Sequence, residues 1–334
     1  MVVACRHVDL GFLTPLAEDE NISSCPFLSK VGGKPVWLDK LNIPSTDRLK
    51  CKYCEEPTSF LLQIYTPMDS DNCYHRAVYI FCCQSYGCHL AGLGCFQVFR
   101  NQLSKENVFY SSDGNVNVSA KTCPLCFVCG CRGNYLCGRC RATRYCCRAH
   151  QLYDWKINKH RITCLKDVFP LTDSQENTFL WPEYTMDIGS EEVLSSENEL
   201  TSDSEEEYSP SDKPPFDERN FEKDKFFLHF QEAMQKNPEQ VLRYVRDCPE
   251  GVLWISDEDI PDSKIPDCPL CNGKRILEFQ VLPQLLNYLG GTEIDWGILA
   301  VYTCSVSCAT SNFYALECIR RQFVSSRPAV ELLV

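Results

Sequence analysis

Near one end of the chain the sequence reads CPLCNGKRILEFQV, Cys268 to Val281, and then GILAVYTCSVSC, Gly297 to Cys308. Cys268 and Cys271 form a C-x2-C pair. Six residues past Cys271 an apolar/polar alternation begins, with Leu277, Phe279 and Val281 on one face and Glu278 and Gln280 on the other, which is strand periodicity. The return run ends in Cys304 and Cys308. A strand that leaves the first pair is undone by an antiparallel return of similar length; at ~3.3 Å per residue, about six to eight residues out and back bring the ends together. Four thiolates then converge, and a zinc ion at ~2.3 Å from each sulfur closes the hairpin.

The pattern occurs twice. CKYCEEPTSFLLQI, Cys51 to Ile64, opens with the pair Cys51 and Cys54, and Phe60, Leu62 and Ile64 share a face. Gln63 matches Gln280 without a gap. The return is AVYIFCC, Ala77 to Cys83, and the unit closes at Cys88. Cys83 is chosen over Cys82 because its spacing to Cys88 is nearer to that of Cys304 and Cys308. Unligated buried thiols are common in cores, but two copies with matching flanks favour metal. One structural four-cysteine zinc is expected in each half. Four protein ligands leave no position for a reactive water, so neither site is expected to be catalytic.

Bulk composition sets the frame. The chain has 334 residues and 44% hydrophobic residues, enough for two or three domains with real cores. Its charge is −12, from 45 acids against 33 bases, which disfavours nucleic acid as main partner and favours basic ones. Twenty-four cysteines are read by compartment. The start, MVVACRHVDLGFL, has no signal-peptide pattern, and no run approaches the ~18 apolar residues of a membrane span. In a reducing interior, patterned cysteines are more often metal ligands than disulfides. The expected setting is the cytoplasm, with nuclear presence.

Between the two units lies a denser pattern. Cys126/Cys129 and Cys137/Cys140 are C-x2-C, Cys146/His150 is C-x3-H, and His160/Cys164 is H-x3-C. Eight ligands suit two tetrahedral zincs. About forty residues bury too little surface to fold unaided, so metal must supply much of the folding energy. This spacing resembles the MYND zinc finger. The resemblance implies interleaved sites, Cys126, Cys129, Cys146 and His150 on one ion and Cys137, Cys140, His160 and Cys164 on the other. It also implies proline-containing peptides as ligands. Cys123 and Cys131 stand beside these ligands as spares, as does Cys147. Arg132, Arg139, Arg141, Arg144 and Arg148 are read as a solvated face, since no aromatic platform for bases accompanies them.

After the finger the text turns acidic and serine-rich, from about Leu171 to Asp217, as in SSENELTSDSEEEYSPSDKPP. It lacks apolar periodicity and is predicted to be a disordered linker, with Ser202 and Ser204 in an acidic kinase-like context. Beyond it, Phe226, Phe230, Ala233 and Met234 recur at helical spacing. Pro238 ends that helix, and Asn237 is expected to cap a second short one with Gln240 reaching back.

The order of these parts resembles the programmed cell death 2 family, in the branch with an inserted MYND finger. The resemblance runs through LGFL (Leu10 to Leu13), SKVGGKPVWL (Ser29 to Leu38), CKYCEEPTSFLLQIYTP, VFRNQL (Val98 to Leu103), the finger, KRILEFQVLPQLLNYL (Lys274 to Leu289) and DWGILAVYTC (Asp295 to Cys304). It implies a mostly β (α+β) fold in which two related zinc-stapled halves form one bipartite domain. The expected division is 1–118 and 219–334 for the halves, 119–168 for the finger and 169–218 for the linker. It also implies a dedicated chaperone that holds the newly made small-subunit ribosomal protein uS5 during 40S biogenesis. A nuclear adaptor acting through the finger is the alternative. In GGKPVW, Gly32 and Gly33 are expected to permit an unusual backbone path and Trp37 to pack in the core. No nucleophile–base pair, phosphate loop or HExxH motif is visible, nor the NHxC motif of SET methyltransferases, so an enzyme is not expected.

Overall fold

Both predicted hairpins form in the computed structural model, which describes residues 8–16, 25–164, 177–190, 224–246, 251–262, 264–291, 293–310 and 313–323. In the first half β3 (Ser59–Tyr65) pairs antiparallel with β4 (His75–Cys82), and β5 (Phe96–Leu103) follows on the far side of β4. In the second half β10 (Arg275–Val281) pairs with β11 (Ile298–Cys304), and β13 (Cys318–Gln322) lies beyond β11. Each outgoing strand carries a register shift at the same place in the repeat, between Phe60 and Leu62 and between Leu277 and Phe279. A bulge at one matched position bends each hairpin alike.

Four further strands join the halves, β1 (Asp9–Pro15), β2 (Lys30–Val31), β8 (Tyr184–Ser190) and β9 (Leu242–Tyr244), while β6 (Tyr135–Leu136) and β7 (Arg144–Tyr145) pair with each other in the finger. The sheet order is β12-β5-β4-β3-β2-β8-β1-β9-β10-β11-β13. Its two ends belong to one stretch of chain. Ala315 and Leu316, which are β12, pair with β5, and β13 then pairs with β11. The sheet thus curls into a barrel whose two end strands are carried by neighbouring residues. One core fills it, drawn from both halves: Leu62, Ile64, Val78, Ile80 and Val98 with Phe279, Val281, Leu299, Val301 and Ile319. Gly11 lies where strands crowd, since a Cβ there would sit 3.1 Å from Leu242 Cβ.

The repeat extends outside the barrel. Gln63 accepts from Val36 N–H at 2.8 Å and donates to Leu28 O at 3.1 Å. Gln280 accepts from Leu253 N–H at 2.8 Å and donates to Leu253 O at 3.3 Å. The matched glutamines therefore hold matched covering segments, KPVWL (Lys34–Leu38) and GVLWI (Gly251–Ile255). Trp37 is buried, as expected, and its Nε1 donates to Gly130 O of the finger at 2.8 Å. Gly32 and Gly33 both adopt positive φ (64° and 62°), and a Cβ on Gly32 would fall 1.8 Å from Pro182 O. Helix α4 (Lys225–Lys236; α1 to α3 are Tyr86–Ala91, Arg148–Lys156 and His160–Thr163) covers the second segment. Its Met234, Phe230 and Ala233 pack with Trp254 and Leu253.

Several expectations are corrected. The acidic stretch is not a spacer throughout, because Tyr184–Ser190 forms β8 and pairs with β1 along its whole length. Barrel closure supplies the partners that its sequence alone does not advertise. The stretch around Ser202 and Ser204 lies outside the described residues. No second helix follows Asn237; a turn leads into β9, and Gln240 instead donates back to Ala233 O and Asn237 O. Phe226 is exposed, and the apolar stripe of α4 runs through Phe230 and Met234. The bulge breaks the expected alternation: Leu277 packs toward the cover, Glu278 turns into the barrel against Arg76 beside the core residues Phe279 and Val281, and Gln280 faces the covering segment.

Candidate metal centres and the frame that holds them

Among the described residues four groups of sulfur and imidazole donors converge, each with its donor atoms within 4.8 Å of one another: Cys51/Cys54/Cys83/Cys88, Cys126/Cys129/Cys146/His150, Cys137/Cys140/His160/Cys164 and Cys268/Cys271/Cys304/Cys308. The loop that presents each C-x2-C pair is the same turn. The residue four past the first cysteine has positive φ (Glu55, Gly130, Arg141 and Asn272). Its N–H donates to the carbonyl of that cysteine at 3.0, 2.9, 2.9 and 2.8 Å in that order. Gly130 adopts this conformation freely and Asn272 tolerates it, whereas Glu55 and Arg141 are held in it by the hydrogen bond of their turns.

The distances decide what the groups can hold. Sγ–Sγ separations are 3.7 Å for Cys54–Cys83, 3.6 Å for Cys129–Cys146, 3.7 Å for Cys137–Cys164, 3.6 Å for Cys268–Cys308 and 3.5 Å for Cys271–Cys304. A disulfide needs ~2.05 Å. Tetrahedral zinc with ~2.3 Å bonds sets sulfurs ~3.8 Å apart and sulfur from imidazole nitrogen ~3.6 Å apart. Cys126–His150 Nδ1 and Cys140–His160 Nε2 are both 3.6 Å, and Cys146–His150 Nδ1 is shorter at 2.9 Å. The donor sets fit zinc, which would contribute folding energy at a closed four-ligand site.

Thiol ionisation tells the same story. Burial opposes ionisation of Cys304, but the Cys308 and Val306 amides and the Cys271 thiol together carry it down to about 7. Cys308, beside it, is pushed up to about 12 by burial and by hydrogen bonds with Cys268 and Cys304. Without a cation, crowded thiols share few negative charges; a divalent ion would let all four ionise.

The geometry separates the cysteines of the four groups from those beside them. Cys83 joins the first group, whereas Cys82 points into the barrel core. Cys123 Sγ approaches Pro124 O (3.6 Å) and Cys131 Sγ approaches Cys129 O (3.9 Å), outside the groups. Cys147 caps α2, its Sγ accepting from His150 N–H at 3.5 Å. Sequence reasoning passed over Asp154. It is buried, accepts from Tyr145 OH at 2.6 Å and lies 3.9 Å from His160 Nδ1. A carboxylate behind the ring favours the tautomer that leaves Nε2 free to ligate.

Two buried carboxylates tie the barrel to the second half's cysteine group. Glu278 accepts from Arg76 Nη1 (2.6 Å) and Nη2 (2.8 Å), from Arg246 Nη1 (2.6 Å), from Tyr244 OH (2.9 Å) and from Thr303 Oγ1. Burial alone would raise its pKa, but the charge of Arg76 and its hydrogen bonds, with Arg246 behind them, hold it at about 2. Arg246 also donates to Cys304 O at 3.2 Å and Ser305 O at 2.9 Å. Glu317 pairs with Arg100 and Arg275 at 2.7 and 2.8 Å, and Arg100 reaches Cys308 O at 3.0 Å. Removing one member of such a set leaves a buried charge uncompensated, which costs ~3–5 kcal/mol.

Clefts among the described residues accompany this frame. One, of ≈ 850 Å³, lies between the finger and the first half, lined by Pro57 and Leu49 on one side and Tyr135, Leu136, Leu152 and Trp155 on the other. Another, of ≈ 830 Å³, opens at the β3–β8 side of the barrel.

Comparison with known proteins follows the same division. Models for the N-terminal and C-terminal domains of programmed cell death protein 2 match residues 7–117 and 224–324, and the MYND finger model matches 126–164. The chain is 37% identical to programmed cell death protein 2 of Rattus norvegicus, over 96% of this chain and 98% of the relative. It is 24% identical to programmed cell death protein 2-like of Mus musculus, over 88% and 91%. A stretch of 94 residues is 32% identical to probable 20S rRNA accumulation protein 4 of Schizosaccharomyces pombe, covering 25% of this chain and 24% of that one. No solved structure matches.

Proposed function

The chain belongs to the programmed cell death protein 2 family, and from that premise we propose that it is a non-enzymatic chaperone for a newly made small-subunit ribosomal protein, uS5, in 40S biogenesis. The observation that carries this reading is the similarity to a relative whose name refers to 20S rRNA accumulation. The charge of −12 supports it, because ribosomal proteins are basic and an acidic surface attracts them. Four zinc ions per chain, two in the finger and one in each half, would act as staples, since every group is complete with four protein ligands. On this reading the protein works in the cytoplasm, with nuclear presence, and neither membrane nor nucleic acid is its main partner. Affinity capture from translating extract with mass spectrometry tests it. Enrichment of uS5 is expected; a capture free of ribosomal proteins contradicts the proposal.

The cleft beside the finger favours a second activity alongside the first. Tyr135, Leu136 and Leu152 are exposed there and form an apolar wall that suits proline-containing peptides. Because Trp37 and Gly130 dock the finger on the first half, deleting the finger would damage the barrel. Tyr135→Ala with Leu152→Ala is the cleaner test: peptide binding should fall while uS5 capture persists.

A further inference from the structure

The sheet parts between β3 and β8. Among the described residues only Lys30 and Val31 of β2 lie between them in register. The chain before β2 leaves the layer, because Phe27 stacks on His75 at 4.5 Å and packs against Tyr65 and Tyr110. Met186 N–H still donates to Ser29 O at 3.0 Å. Past that bond β8 continues to Ser190, paired with β1 alone among the described residues. Along an antiparallel strand the groups facing one side recur every second residue. The N–H and C=O of Ile188 and Ser190 therefore point into the same opening as those of Met186, and among the described residues no backbone bond meets them there.

The opening is the cleft of ≈ 830 Å³. Ile64, Met186 and Tyr244 give it an apolar inner wall, and Asp69 and Asp187 stand exposed at its rim. Its cation, Arg246, is already ion-paired with Glu278 at 2.6 Å. A strand edge open to solvent is a template for an incoming strand. An acidic rim selects the charge of what enters.

We propose that this slot takes an extended, basic segment of a partner protein as an added strand on β8. The segment exchanges main-chain hydrogen bonds with Ile188 and Ser190. Its alternate side chains turn inward onto Ile64 and Tyr244 and outward, where lysine or arginine meets Asp69 and Asp187. The proposal rests on the client-holding reading, which makes the partner basic, and it assigns that reading a surface.

The probe is a short peptide of alternating valine and lysine, titrated against the full chain by fluorescence anisotropy. Two controls accompany it, one with glutamate for lysine and one with alternate backbone nitrogens methylated. Binding should weaken as salt rises and fail for both controls. Asp69→Lys with Asp187→Lys should weaken it about tenfold or more without moving the melting temperature. Amide exchange at Ile188 and Ser190 should be fast in the free chain and slow in the complex. Equal binding of the glutamate peptide, indifference to the charge reversal, or slow exchange at those amides without peptide would overturn the proposal; the last would mean that the chain covers its own edge. If the reversed variant still captures uS5 from extract as the parent does, the slot is not the client's seat although the chaperone reading survives. If the parent captures no ribosomal protein yet binds the peptide, the chaperone reading fails and the slot stands.

Discussion

The two halves of the barrel are built on one plan and differ where they meet. Each begins with a C-x2-C turn, bulges at the same residue, bridges to its covering segment through the same glutamine and ends in a cysteine pair. At the bulge the first half has Leu61 and the second Glu278, both buried. The charge has its answer across the barrel, in Arg76 of the first half. The covers differ too. The finger docks over Trp37, while α4 packs over Trp254. The difference teaches that duplicated hairpins can close a barrel through apolar packing, but buried ion pairs between them, Glu278 with Arg76 and Glu317 with Arg100, make the halves complementary rather than interchangeable.

The comparison breaks most visibly at the metal groups. Cys271→Ser, or Cys54→Ser in the first half, should abolish cooperative unfolding of the whole barrel, because closed zinc sites contribute ~10 kcal/mol or more and the halves share one core. Differential scanning calorimetry reads this out, and a normal melting curve for Cys271→Ser would remove the staple from the account. Next comes the asymmetric pair. Glu278→Leu, which copies the first half, should cost ~3–5 kcal/mol because Arg76 and Arg246 stay buried without it. The pH dependence has a definite sign. The folded pKa of about 2 lies below the ordinary 4.5, so this stabilisation is complete above about 4.5 and is lost as pH falls toward 2. Glu278→Gln should flatten the denaturant midpoint against pH in that window.

Smaller effects sharpen the symmetry. Gln63→Ala and Gln280→Ala should each cost ~1–3 kcal/mol, and by similar amounts, since each glutamine makes two backbone bonds, Gln63 to Val36 and Leu28 and Gln280 twice to Leu253. Unequal losses in chemical denaturation would show that the two covers are held differently. The smallest change is expected at Phe226, exposed on α4, where Phe226→Ala should stay within about 0.5 kcal/mol while Phe230→Ala does not.

Much of the frame was legible because soft ligands and strand alternation leave dense signals. Paired cysteines, matched apolar runs and Gln63 against Gln280 pointed to the two hairpins, and the choice of Cys83 over Cys82 agrees with where the structure places them. Barrel closure was not legible, since it depends on which distant strands meet. Tyr184–Ser190 sits beside an acidic text and becomes a strand only when β1 lies next to it. Asn237 and Pro238 carry a helix-start signal that the pull of β9 into the sheet overrides. The inward turn of Glu278 was not legible, because alternation alone does not show the bulge that sets it beside two buried arginines.

The claim on which all this depends is that metal ions hold the chain together. Elemental analysis of the purified, folded protein tests it most directly. The account predicts about four zinc ions per chain, one for each group of ligands. A protein that keeps its cooperative fold with no zinc bound would contradict it.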